Sequence, residues 1–177
     1  AGSVSAQSAL GKKPATESVI GPTLRHLADR VATRLRAKNR AGRTVTARVR
    51  FADLRAVTRS ITLPAAISAT VILADVAKDL VYAALEDHPG EHEISLLAIA
   101  VSHLEDDAVL QLELPFELEH EERRPGTRKG AARWVLDRSV DSVRDKFGRE
   151  SVGYGSVELG ERRSVPDQFR ELAEKEL

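Results

Sequence analysis

The sequence has 177 residues, 42% of them hydrophobic and 31% charged, with no cysteine and no methionine: room for one ordinary domain with appendages. Without cysteine there are no disulfides and no thiolate metal sites, which fits the cytoplasm; no apolar run approaches the ~20 residues of a membrane span and no signal peptide is visible, so no membrane partner is expected. The net charge of zero hides segregation: residues 1–64 carry 13 Lys and Arg against 3 Asp and Glu, residues 65–122 carry 1 against 14, and residues 123–177 carry 13 against 10.

A basic block of this size is the footprint of a polyanion-binding surface, and the acidic block would be repelled by the same partner. The lack of methionine even at position 1 suggests an excised or processed chain.

Along the chain, Ser3 to Ser8 alternates polar with small or apolar residues and reads as a short strand stopped by Gly11-Lys12-Lys13-Pro14. Leu24, Leu27, Val31 and Leu35 then fall at helical spacing, with Pro22 suited to the first turn and Asn39 to Gly42 as the stop. A β-hairpin follows. Thr44 to Phe51 alternates strictly, placing Val45, Ala47, Val49 and Phe51 on one face and Thr44, Thr46, Arg48 and Arg50 on the other. The returning run, Val57 to Leu63, sets Thr58, Ser60 and Thr62 on its polar face but leaves Arg59 on the apolar side, so a bulge must re-aim it or it must snorkel from an edge.

Pro64 should end that strand, and Ser68 should cap a second helix with Leu73, Val76, Ala77, Leu80 and Ala84 as its core stripe. Ile94 to Leu104 is an apolar strand. The expected fold class is α+β, a β-α-β-β-α-β unit over residues 1–104 with a four-stranded sheet, two helices on one face and the other face open. Residues 105–125 form an acidic linker too polar to fold alone. Residues 126–177 are expected to be a partly helical tail. In it Trp134, Leu136, Val140, Val143 and Phe147 mark one helix, Val152 to Leu159 a weak strand or loop, and Asp167 to Glu176 a last helix. The tail has too few apolar residues for a core of its own.

In order and residue pattern the first unit resembles the little-finger domain of Y-family translesion DNA polymerases of high-GC bacteria. The likeness is carried by Ser3 to Gly11, Leu27 to Leu35, Gly42 to Asp53, Val57 to Pro64 and Leu96 to Ser102. Leu136-Asp137-Arg138 and Arg144 to Gly148 also resemble a segment that follows the clamp motif in such polymerases. The resemblance implies a domain that lies across primer-template DNA and grips its backbone from the open sheet face. Arg43, Thr44, Thr46, Arg48, Arg50, Thr58, Arg59 and Ser60 are the expected phosphate contacts. Four neutralised phosphates would lower affinity about a hundredfold between 50 and 200 mM salt. One departure is that Ala98 and Ala100 stand where the family often has Gly and Arg.

Gln111-Leu112-Glu113-Leu114-Pro115-Phe116 resembles the peptide that binds the bacterial sliding clamp, the β subunit of DNA polymerase III, with Gln111, Leu112, Leu114, Pro115 and Phe116 as anchors. Read without the resemblance, six such residues make a short strand or core contact. Because a long tail follows Phe116, the peptide would work from mid-chain.

No catalytic constellation and no metal site is expected. His88 and His92 have a helical metal spacing that Pro89-Gly90 forbids, Glu105-Asp106-Asp107 has nothing to position it, and His103 at a strand end reads as structural. The resemblance implies Mg²⁺ only for a polymerase palm domain, whose carboxylates are not among these residues. Two rivals stand beside the polymerase reading. One is a non-enzymatic clamp-bound scaffold, and the other an RNA-binding module, which would need exposed aromatics on the sheet.

Overall fold

A computed structural model of the chain describes residues 2–106 and 128–153. Six elements follow in the expected order: β1 (Val4–Pro14), α1 (Glu17–Ala37), β2 (Arg40–Phe51), β3 (Ala56–Ile67), α2 (Thr70–Glu86) and β4 (Glu93–Asp106). Then come α3 (Arg128–Phe147) and a 3-10 turn at Arg149–Ser151. The strands form one antiparallel sheet in the order β1-β4-β2-β3, so the fold is α+β as the sequence implied.

Alternation sorts the residues between the two sheet faces. Val45, Ala47, Val49 and Phe51 of β2 join Leu97, Ile99 and Val101 of β4 in the core, against Leu24, Leu27, Val31 and Leu35 of α1 and Leu73, Ala77, Val81 and Ala84 of α2. Both helices therefore cover this face and leave the opposite one bare.

Three local signals act differently from their simplest reading. Gly11 does not stop β1; it takes φ +72° inside a register shift between Ala9 and Lys13, a bulge that only glycine adopts without strain. Pro22 lies inside α1 rather than at its start, because the amides of Val19 and Ile20 already bond the Thr16 carbonyl and Ile20 is fully buried. The exposed Pro22 gives up one hydrogen bond near the helix start, where water can replace it. Pro64 does not end β3, an edge strand whose ladder with β2 shifts register there. Ser68 is not the cap of α2 either. Ala69 occupies the N-cap position, and the Ser68 carbonyl accepts from Arg36 Nη1 at 2.8 Å.

α3 turns apolar residues to solvent. Leu136, Val143 and Phe147, which mark the helix in the sequence, are exposed together with Val135, whereas Asp137 is 2% exposed. The Trp134 side chain lies outside the described residues. The cause is what α1 offers: Arg36, itself buried, reaches Asp137 at 3.3 Å and Asp141 at 2.6 Å, and Asp29 receives Arg144. Asp137 also accepts the Thr70 amide at 3.0 Å, an orphan donor of the first turn of α2. Charge pairs seat this helix, so its polar side faces inward.

Candidate nucleic-acid interface

Residues directly opposite in an antiparallel ladder share a face, so the register maps the bare face row by row. Gln7, Ala98, Arg48 and Thr58 form one row. Ser5, Ala100, Thr46 and Ser60 form the next, and Ser102, Thr44 and Thr62 a third. Arg50 lies beyond the first row, opposite Leu96 and Ala56. Short hydroxyls and alanines make this surface shallow, and two guanidinium groups rise from it.

Arg48 is exposed and has no ion-pair partner among the described residues. Arg50 donates from Nε to Ser95 Oγ at 2.9 Å, which fixes the stem of its side chain. The Thr44 hydroxyl hydrogen-bonds Thr62 at 2.9 Å and His103 Nδ1 at 2.8 Å. Thr58 and Ser60 are exposed and Thr46 is half-buried. Charge, hydroxyl donors and flatness suit a phosphodiester backbone, which asks for donors at intervals and no deep pocket.

Two expected members fall outside these rows. Arg59 sits opposite Ala47, whose side chain faces the helices, and no bulge interrupts the ladder between Thr44 and Arg50 to re-aim it. From the edge strand it reaches Asp87 at the end of α2, and that bond holds the Asp87 carboxyl below its usual range. Arg43 is drawn aside at the register shift of β2. Its Nε and Nη2 donate to the carbonyls of Leu63 and Pro64 at 3.2 and 3.1 Å, and its Nη1 lies 3.7 Å from Glu105. Both guanidinium groups are committed within the domain.

Gln111, Leu112, Leu114, Pro115 and Phe116 lie outside the described residues, between the end of β4 and the start of α3. The last expected helix, Asp167 to Glu176, lies outside them too. Among the described residues no cluster of His, Asp and Glu is arranged to hold a metal ion. His88 packs on Phe51 with ring centroids 5.4 Å apart and bonds the Ala84 carbonyl through Nδ1. No described helix is long and apolar enough to cross a membrane.

Arg36 escaped the sequence reading, and His103 was read only as a structural residue at a strand end. Arg36 continues the row Ala28, Ala32 at four-residue spacing, and an arginine on a buried row implies a buried acid. His103 follows a break in alternation: Val101 is buried, yet Leu104, not His103, is the next residue packed against the core. That break signals a skipped residue.

The chain matches the family model described as the impB/mucB/samB family C-terminal domain over residues 1–114. It belongs to this family. A relative, "DNA polymerase IV 2" of Mesorhizobium japonicum, is 66% identical over 175 residues, covering 99% of this chain and 42% of that protein. "DNA polymerase IV 1" of the same organism is 29% identical over 155 residues, covering 86% of this chain and 32% of that one. The chain thus spans less than half the length of these relatives. Among solved structures, the insertion ternary complex of Dbh DNA polymerase superposes with a TM-score of 0.51 at 15% identity, over 56% of this chain and 28% of that one. A Y-family DNA polymerase chimera of Dbh and Dpo4 gives 0.51 at 16% identity, over 57% and 28%. The fold of this chain is therefore shared with part of these Y-family DNA polymerases.

Proposed function

We propose that this chain is the C-terminal part of a cytoplasmic translesion polymerase of the DNA polymerase IV type, gripping primer-template duplex by its backbone and tethering the enzyme to the sliding clamp. The observation that carries the reading is the bare sheet face, where Arg48 and Arg50 stand among Thr44, Thr46, Thr58 and Ser60. Phosphate contacts position a protein without reading sequence, which suits an enzyme that must act wherever synthesis stalls. Template-directed nucleotidyl transfer with Mg²⁺ is proposed for the longer polymerase, and the described residues serve it by holding the duplex.

With Arg43 and Arg59 committed to partners inside the domain, two phosphates rather than four are the expected electrostatic footprint. Affinity should then fall about tenfold between 50 and 200 mM salt. Fluorescence anisotropy with a labelled primer-template measures this directly, and a flat salt response rejects the grip. Clamp binding is assigned to Gln111, Leu112, Leu114, Pro115 and Phe116 on the strength of the sequence motif and its acidic surroundings. Joint replacement of Leu114 and Phe116 by Ala should abolish binding to purified sliding clamp while leaving DNA affinity unchanged. Two weak attachments on one chain act bivalently and raise the local concentration of polymerase at a primer end.

A further inference from the structure

We infer that His103 is a phosphate-contacting residue of the open face, supplying a third cationic site that switches on as the imidazole protonates. The inference rests on the DNA-gripping reading above and adds to it a residue and a pH response.

Strand alternation would send His103 to the helix side, since Ser102 lies in the open row with Thr44 and Thr62. The backbone prevents this. His103 takes φ +51°, in the left-handed region that histidine, like asparagine and aspartate, enters more readily than other side chains do. The consequence is that Leu104 packs against the core in its place, and the exposed imidazole reaches Thr44 Oγ1 through Nδ1 at 2.8 Å. With Thr44 to Thr62 at 2.9 Å, three side chains from β4, β2 and β3 form one hydrogen-bonded line across the bare face.

With Nδ1 engaged by the threonine hydroxyl, Nε2 is the ring nitrogen left to meet a ligand, and in the imidazolium form it is a donor. The charged groups at this end of the sheet already have partners. Arg43 lies by Glu105 at 3.7 Å and Arg40 by Asp106 at 3.3 Å, while β3 contributes Thr62 and Leu63, which carry no charge. With Nδ1–H donating to Thr44 and Thr44 donating to Thr62, an anionic oxygen beside this line would meet Nε2–H of the ring and the hydroxyl hydrogen of Thr62, and its charge would favour the protonated ring.

The test is anisotropy of a fluorescein-labelled primer-template duplex with the whole chain, at about pH 6 and about pH 8, across the range where an imidazole titrates. Binding should be about threefold tighter at the lower pH, the scale of one exposed ion pair. The salt slope should steepen by about one as one more phosphate is neutralised. His103→Asn tolerates the left-handed backbone and can still bond Thr44, but cannot titrate; it should lose both responses and keep the melting temperature. His103→Gln serves as a second variant should the first fail to fold. Arg48→Ala should weaken binding at both pH values and leave the pH response intact. A His103→Asn chain that keeps the pH response overturns the inference and leaves the DNA grip standing. Absence of binding by the unaltered chain at both pH values overturns the grip and this inference with it.

Discussion

Arg144 of α3 holds both carboxylate oxygens of Asp29 in α1, at 2.8 and 3.0 Å, across 115 positions of sequence. Neither side chain is more than a tenth exposed. Together with the two carboxylates around Arg36, this pair makes α3 part of the folded unit, although Val135, Leu136, Val143 and Phe147 are exposed.

Removing Arg36 should be costly. The Arg36→Ala change leaves the Asp137 carboxylate buried without its guanidinium, which typically destabilises by about 3 kcal/mol. Asp137→Asn, which keeps an acceptor for the Thr70 amide, should cost less. Urea unfolding of the two variants checks the order, and equal losses would mean that the charge pair is not what seats α3.

Gly42 should tolerate no side chain. A Cβ there would lie 2.3 Å from Val101 Cγ1, 2.9 Å from Leu104 Cδ2 and 3.0 Å from the Ser102 carbonyl oxygen. Val101 is β-branched and fully buried, so it cannot swing aside. Gly42→Ala should lose about 2 kcal/mol, the usual scale of overpacking a filled core, measurable as a lowered denaturant midpoint.

The two faces of β3 and β2 predict opposite phenotypes for two arginines. Arg48→Ala should weaken DNA binding and reduce the salt slope by about one unit, with thermal stability unchanged. Arg59→Ala should leave DNA affinity and its salt slope unaltered, since its partner is Asp87 on the other side of the sheet. Parallel losses of affinity in both variants would reject the assignment of faces.

Acid should weaken the domain partly through Glu17. Its carboxyl is held below the usual value of 4.5, chiefly by the hydrogen bond from Lys78 at 2.7 Å and next by that from Tyr82. A carboxyl depressed in the folded state contributes stability that is complete above its unfolded pKa and lost as pH falls through the folded one. Glu17→Gln should therefore lower the urea midpoint near neutrality, and the two proteins should converge as pH drops below about 4. Burial first, and then the bond to Glu17, pushes the Tyr82 hydroxyl up to about 12.

Much of the fold was legible because alternation and helical spacing report burial directly. Val45, Ala47, Val49 and Phe51 were assigned to the core from parity alone, and all four are buried. Arg48 and Arg50 were assigned to the open face by the same parity, and the register puts them there. What stayed hidden depended on tertiary context. Gly11 and Pro64 read as stops because local propensity cannot tell an edge strand or a bulge from an end. Nothing in the neighbourhood of Arg43 in sequence foretold its bonds to the carbonyls of Leu63 and Pro64. The helix of α3 was legible from its spacing, but not the side by which it is seated: apolar periodicity locates the buried side of a helix only when the receiving surface is apolar, and here that surface is Arg36 and Asp29.

The same bulge and prolines govern how one copy of the sheet meets another. β1 and β3 are its two edges, and an unbroken edge invites a second molecule to add a strand. Lys12, Lys13 and Pro14 crowd the end of β1 past the kink at Gly11, while Pro64 within β3 offers no amide to an added strand. Each edge thus resists continuous pairing, which keeps neighbouring copies separate molecules rather than letting them zip into a shared sheet.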